Sequence, residues 1–360
     1  MISSEAELEI SGIKIGIDHP SFFIADIAAN HDGSLSKAKE LIWLASEAGA
    51  NAAKFQHFQA DSIVSDYGFK SLGEKKSHQA GWGKSVYQIY KEASVSLDWT
   101  LELKDTCQKA GIVFFTSPYS IELVDHINDY VPAYKIGSGD ITWHEIIKHI
   151  ASKNKPYMLA TGASNINEVK AAVEVGFSIN PQIALLQCNT DYTANIENLK
   201  YINLNVLNTY KNLFPNLVLG LSDHSFGYVS VLGAIALGAR IIEKHFTDNT
   251  SRIGPDHAFS MDPKSWKEMV LRARELESCL GGNVKKVEFN EKDTRILQRR
   301  AIRLISAKKA GSRICIDDLK FLRPCPDDAL SPNQINDVIG KTLREDKESE
   351  DYLKCSDLQH

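Results

Sequence analysis

Short runs of β-branched, aromatic and aliphatic residues alternate along the chain with stretches whose apolar positions recur every three to four residues. The runs are FFIADIA (22–28), NAAKFQHF (51–58), IVFFTS (112–117), AYKIGS (133–138), YMLATG (157–162), IALLQC (183–188), LVLGLSDH (217–224) and RIIEKHF (240–246). Each has the length and residue types of a buried strand, and most of the spacers between them have helical period. Eight strands alternating with helices predict an α/β fold, a closed TIM-type (β/α)8 barrel. The same alternation permits an open doubly wound sheet. Eight strands over a span of roughly 250 residues favour the barrel.

The ends of the helical stretches agree. Gly49 in EAGAN, Gly111 in KAGIV and Gly238 in ALGAR each follow a helical stretch and precede a strand, the place for a left-handed C-terminal cap. Gly176 in EVGF resembles them, although its strand begins several residues later. Ser34 is an N-cap candidate, with Leu41, Leu44, Ala45 and Ala48 as the apolar stripe behind it. The polar segment from Gln59 to about Trp99, between the second strand and its helix, is long enough to be functional and would lie at the barrel mouth. After Leu280 the pattern changes. The expected organisation is a catalytic barrel over 1–280, a polar linker over 281–300 and a compact tail of short strands and turns over 301–360.

Composition narrows the partners. The 360 residues are 43% hydrophobic and 24% charged, with Lys+Arg 41 against Asp+Glu 46 for a net charge of −5. A mildly acidic globular chain has no general attraction for nucleic acid or a membrane surface, so neither is expected as a partner. The first residues carry acids where a signal peptide carries Lys or Arg, and no run is apolar and long enough to predict a membrane span. Six scattered cysteines form no C-x-x-C pair, which points to a reducing, cytoplasmic setting.

In a parallel barrel the reactive groups stand where the strands end. Here those ends carry Asp26 with Asn30 and His31, Lys54 with Gln56, Thr116 with Ser117, Lys135 with Ser138 and Asp140, and Thr161. The later ends carry Asn189 and Thr190 with Tyr192, Ser222-Asp223-His224, and Glu243-Lys244-His245. His224 and His245, on adjacent strands, would point into one mouth and suit Mn, Fe, Co or Zn, with Asp223, Glu243 and Asp256 as outer-shell or ligand candidates. Each imidazole can equally be a hydrogen-bonded structural histidine. Lys54 and Lys135 lie in apolar strands, where an ammonium group needs an anion. A bound phosphate or carboxylate is one partner; an internal pair such as Lys135 with Asp26 is another; a Schiff-base lysine is a third reading. Hydroxyls at Ser117, Ser138, Thr190 and Ser222 tilt the balance towards anion binding.

At these residues the chain resembles the sialic acid synthase family, over nearly its whole length. The carriers are ADIAANHDGSLSKAKELI (25–42), AGANAAKFQ (48–56), YKIGSGD (134–140), LATG (159–162), GLSDHS (220–225), ALGARIIEKHFT (236–247), GPDHAFSMDP (254–263), LRPCP (322–326) and IGK (339–341). The combination GLSDH…EKHFT…GPD is specific. The resemblance implies condensation of phosphoenolpyruvate with an N-acyl hexosamine to a nine-carbon 2-keto sugar acid. It further implies a barrel followed by an antifreeze-like (SAF) domain.

By the same resemblance, His224 and His245 would hold a divalent metal, Mn or Mg. Lys54, Ser117, Lys135, Ser138, Thr190 and Ser222 would bind phosphoenolpyruvate. Gln56, Tyr192, Asp140 and Asp256 would face the sugar or metal-bound water, and Asp26 would act as acid or base. Arg323 would reach the partner's barrel in a domain-swapped homodimer. The chain departs from the family at Asp26 and Asp140, where Glu is usual, at Ala160, where serine is frequent, and in CNTDYTA (188–194). These changes leave N-acetylmannosamine and 6-deoxy diacetamido hexoses both open as acceptors. They also motivate a competing reading, a paralogue that binds a sugar acid with weakened catalysis. Other phosphoenolpyruvate-condensing barrels and lysine-dependent aldolases are the remaining alternatives.

Overall fold

The computed structural model describes residues 6–72, 84–193 and 195–359. The chain divides into two compact units, one ending at Gly281 and the other beginning at Gly282.

The first unit opens with a hairpin that the strand pattern above does not include, β1 (Glu7–Ile10) and β2 (Ile13–Gly16). Its two-residue turn, Ser11-Gly12, has φ of 51° and 79°, the left-handed pair that twists with the strands. Leu8, Ile10 and Ile15 join the main core. Eight strands follow: β3 (Phe22–Asp26), β4 (Ala52–His57), β5 (Val113–Pro118), β6 (Tyr134–Ile136), β7 (Tyr157–Ala160), β8 (Ile183–Cys188), β9 (Val218–Asp223) and β10 (Ile241–His245). All pair in parallel and in sequence order, and β10 closes on β3 with His245 opposite Asp26. The expected closed barrel is therefore present, and the open sheet is excluded.

Ser34 caps the helix Leu35–Glu47, its side chain accepting from the Lys37 amide. Gly49, Gly111 and Gly238 all have positive φ. Gly176 does not behave like them, because it lies inside the helix Ile166–Phe177, where a Cβ would come within 2.2 Å of the Tyr157 hydroxyl. Glycine is needed there for close packing of helix on strand, not for a cap. The described parts of the 59–99 segment form helices at Ala60–Ile63, Asp66–Leu72 and Val86–Ala93. Residues 73–83 of that segment lie outside the described residues. Among the described residues no helix is long and apolar enough to cross a membrane.

The second unit pairs β11 (Ala301–Leu304) with β12 (Leu319–Leu322), and β13 (Thr342–Leu343) with β14 (Leu358–Gln359), around Ile302, Leu304, Ile314, Leu343 and Leu353. Within 281–300, read above as a linker, a helix spans Lys292–Gln298 and the Ile296 carbonyl accepts from the Cys325 amide. The unit contains an internal repeat. The Lys308–Asp318 ion pair at 2.8 Å recurs 39 residues on as Lys347–Asp357 at 2.9 Å. Lys308 and Lys347 exchange backbone hydrogen bonds, and Gly311 and Glu350, at equivalent places, both have positive φ.

Candidate functional site

The C-terminal ends of the barrel strands converge on a cavity of about 160 Å³ whose walls include Gln56, Phe58, Tyr119, Tyr192, His245 and Asp256. Side chains alternate across each strand, so Lys54 and Gln56, Lys135, Ser222, and Glu243 with His245 share the inner face. Their neighbours at 55, 57, 223 and 244 face outwards. This alternation separates the strand-end candidates. Thr116 bonds His57 and the Phe55 carbonyl, Thr161 bonds the Leu186 carbonyl and Tyr210, and Asn30 bonds the Phe246 carbonyl and Ser260. These three serve the scaffold.

Inside the mouth, Lys54 and Asp26 are direct register partners on β4 and β3, with Nζ and Oδ2 2.7 Å apart and both side chains 2% exposed. Lys135 pairs not with Asp26, the internal partner suggested from sequence, but with Glu243 at 3.4 Å; Lys54 also stands 3.8 Å from Glu243. Only β10, which closes the barrel between β9 and β3, brings that carboxylate within reach of both lysines. Ser222 donates to Glu243 Oε1 at 2.9 Å, while Glu243 Oε2 is buried without a hydrogen bond. Burial would raise the Glu243 carboxyl, but the ammonium groups of Lys135 and Lys54 outweigh it and bring its pKa to about 2. Burial likewise works against the charge on Lys54, yet Asp26 and Glu243 together hold its pKa above the ordinary value. The Asp26 carboxyl is pushed up, by burial first and by Glu243, against the pull of Lys54. Gln56 donates to Asp26 at 3.2 Å.

One hydroxyl stands beside a lysine, and another holds the neighbouring loop. Ser117 Oγ is 3.5 Å from Lys54 Nζ, and Ser138 Oγ accepts from the Gly162 amide at 2.9 Å. A Cβ on Gly162 would lie 2.4 Å from the Thr190 methyl, 2.8 Å from Ser138 Oγ and 3.1 Å from the Cys188 thiol. Gly162 is thus what allows the Ser138 and Thr190 loops to meet. Asp140 stands in the field of Lys135, and burial raises its carboxyl to about 6.

The imidazoles of His224 and His245 lie side by side, ring centres 5.3 Å apart, with Tyr192 4.3 Å from the first and Phe259 4.8 Å from the second. Burial first, with His245 beside His224 and the ammonium groups of Lys54, Lys244 and Lys135 around His245, outweighs the nearby carboxylates and brings their pKa values to about 4 and about 3, so both are neutral at pH 7. His224 Nδ1 is 2.8 Å from the Asn189 carbonyl, which assigns the proton to Nδ1 and leaves the Nε2 lone pair available. His245 Nδ1 is buried with no hydrogen-bond partner, 3.8 Å from Asp256 Oδ2. Asp256 accepts from the Ala29 amide, and burial raises its carboxyl to about 7.

Two neutral imidazoles with unused lone pairs fit a divalent cation. Among the described residues no group of three His, Cys, Asp or Glu side chains is arranged to hold one, so oxygen donors from water or substrate would have to complete the shell. Arg323 lies in the second unit, directly after β12.

Glu243 as the bridge between the lysines, Gly162, and the aromatic wall of Phe58, Tyr119 and Phe259 are site features that strand-end reasoning did not single out for these roles. For Glu243 the signal was there: it shares the β10 inner face with His245, two residues on.

Residues 41–285 match the NeuB family. The chain is 34% identical over 342 residues to the N,N'-diacetyllegionaminic acid synthase of Legionella pneumophila, covering 93% of this chain and 94% of that protein. It is 34% identical over 350 residues to the pseudaminic acid synthase of Campylobacter jejuni, covering 95% and 98%. The crystal structure of N-acetylneuraminic acid (sialic acid) synthetase from Leptospira borgpetersenii superposes with a TM-score of 0.70 at 29% identity, covering 81% of this chain and 95% of that one.

Proposed function

Because the chain belongs to the NeuB family, we propose that it is a nonulosonic acid synthase. It condenses phosphoenolpyruvate with the open-chain aldehyde of an N-acyl hexosamine and releases phosphate. The observation that carries this reading is the juxtaposition of two buried ammonium groups, one of them beside the Ser117 hydroxyl, with two neutral imidazoles in one mouth.

Lys54 and Lys135 take the anionic oxygens of phosphoenolpyruvate, Ser117, Ser138 and Thr190 donate to the rest, and Ser222 lines the same site with its proton held by Glu243. The contacts of both lysines with Glu243, at 3.8 and 3.4 Å, are long enough to yield to a substrate oxygen. His224 and His245 would hold a divalent cation, Mn or Mg, which when bound supplies Lewis acidity towards a carbonyl oxygen. The enol phosphate's methylene carbon attacks the aldehyde carbon, its double-bond electrons forming the new C–C bond while the aldehyde oxygen takes a proton. Water adds at the cationic C2 and loses a proton; the new hydroxyl then gives up its own proton as the C–O bond to phosphate breaks, leaving the 2-keto acid and inorganic phosphate. Asp26, with its raised pKa and its place between Lys54 and His245, handles these protons. Lys54 and Lys135 stabilise the departing phosphate. Gln56, Tyr192, Asp140 and Asp256 face the sugar.

The tail over 301–360, joined through 281–300, is an antifreeze-like (SAF) module, a reading its internal repeat supports. In a domain-swapped homodimer Arg323 completes the partner's mouth. Mixing inactive Arg323→Ala and His224→Ala chains would then restore part of the activity, as mixed dimers form one intact mouth. The enzyme works in the cytoplasm on small substrates, without nucleic acid or membrane.

The experiment is phosphate release from phosphoenolpyruvate and Mn2+ with N-acetylmannosamine, its 6-phosphate and a 6-deoxy diacetamido hexose, with mass spectrometry of the product. Release with at least one sugar, lost on chelation, is expected. No release with any of them favours the sugar-acid-binding paralogue.

A further inference from the structure

The strands that carry the two imidazoles are tied together on their hidden side. Asp223 and Lys244 are direct partners in the parallel register of β9 and β10, one residue before His224 and His245 respectively. Alternation turns them to the outer face of the barrel, beneath the helix Val229–Ala236. Both are 1% exposed, and Lys244 Nζ lies 2.7 Å from Asp223 Oδ2.

The pair does more than cross the sheet. Lys244 Nζ also donates to the Ser225 carbonyl at 2.6 Å, so both residues flanking His224 are bound to one side chain from the neighbouring strand. Asp223 accepts from the Ser225 amide at 3.0 Å and from the Ser230 hydroxyl at 2.7 Å, and Ser225 and Ser230 share a hydrogen bond at 2.8 Å. The turn after β9 is therefore closed on itself, on the following helix and on β10. On the inner face, the Ser222–Glu243 hydrogen bond ties the rung below. Well-packed apolar residues of similar volume often replace a buried ion pair without loss of stability. What apolar residues would not supply is a fixed offset between two adjacent strand ends.

We propose that Lys244 and Asp223 are positioning residues that set the separation and orientation of His224 relative to His245. This rests on the reading of the two imidazoles as ligands of a divalent cation. The contacts of Lys244 with Asp223 and with the Ser225 carbonyl act on the two residues flanking His224, so their removal frees that imidazole while leaving Lys54, Lys135 and their hydroxyls in place.

The test is Lys244→Met in the full chain, with Mn2+ binding read from the EPR signal of the free ion, and His224→Ala and His245→Ala as controls. Loss of a group that orients a metal ligand weakens binding by about 10- to 100-fold. That loss is expected in Lys244→Met, with KM for phosphoenolpyruvate at saturating Mn2+ within about twofold of the parent. A folded Lys244→Met chain with the parent's Mn2+ affinity overturns the proposal. Should Lys244→Met not fold, Ser230→Ala decides: weaker Mn2+ binding supports the proposal and unchanged binding overturns it. If the parent binds no Mn2+, or binds it without either histidine, the metal reading fails instead. The positioning claim is then judged by the 15N NMR signal of the His224 Nδ1–H bonded to Asn189. Its loss in Lys244→Met or Ser230→Ala supports positioning, and its persistence in both overturns it.

Discussion

Gly162→Ala isolates the anion site without touching a charge. The added methyl would sit 2.4 Å from the Thr190 methyl and 2.8 Å from Ser138 Oγ. Carbon atoms in ordinary contact are about 3.5–4.0 Å apart, so the first contact falls short by more than ~1 Å. Relief requires the Thr190 loop to retreat, or Ser138 to turn away and abandon its 2.9 Å bond from the Gly162 amide. Overpacking of this kind costs about 1–3 kcal/mol. Where that strain is relieved by displacing Ser138 and Thr190 from the anion, the same energy, at about 1.4 kcal/mol per factor of ten, lowers kcat/KM for phosphoenolpyruvate roughly 5- to 150-fold. Gly139→Ala is the matched control, because it is next to Ser138, has no left-handed φ, and a Cβ there meets nothing within 4 Å. Steady-state phosphate release with varied phosphoenolpyruvate, alongside thermal melts of both variants, makes the comparison. A Gly162→Ala enzyme with the same kcat/KM as Gly139→Ala would refute the placement of Ser138 and Thr190 around the anion.

Three further outcomes follow from the structure. His57, wedged between Thr116 and Thr100 and brought by burial to a pKa of about 4 from 6.5, stays neutral while the unfolded chain protonates; its contribution is intact above pH 6.5 and about 3 kcal/mol is lost between pH 6.5 and 4. Denaturant unfolding across that range should be less pH-dependent in His57→Gln than in the parent, and equal slopes would contradict it. Gly176→Ala should lower Tm by a few degrees, as about 1–3 kcal/mol of clash with Tyr157 exceeds the helix-propensity gain of about 1 kcal/mol; a raised Tm would show that the hydroxyl gives way freely. Borohydride with pyruvate should leave the mass of the chain unchanged, because the short pair with Asp26 keeps Lys54 an ammonium ion and not a nucleophile.

Much of this fold was legible as a one-dimensional signal. A strand buried on both faces is an unbroken apolar run, a helix shows its period, and left-handed caps call for glycine; these local rules reach eight strands, the cap at Ser34 and the ring of polar residues at the strand ends. The β1–β2 hairpin was also written locally, in ELEISGIKIG with its Ser-Gly turn, although the barrel pattern does not call for it.

What no local rule contains is which strand ends meet. Glu243 reaches both Lys54 and Lys135, and His245 faces Asp26, only because β10 closes on β3, joining residues more than two hundred positions apart. Gly176 reads as a cap until the ring of Tyr157 is packed against it. Residue types and their period follow from interactions within one turn or one strand and so can be read along the chain. The choice of partner for a buried charge is made by the closed sheet, which alone brings distant inner faces to one point and removes the water that would otherwise solvate them.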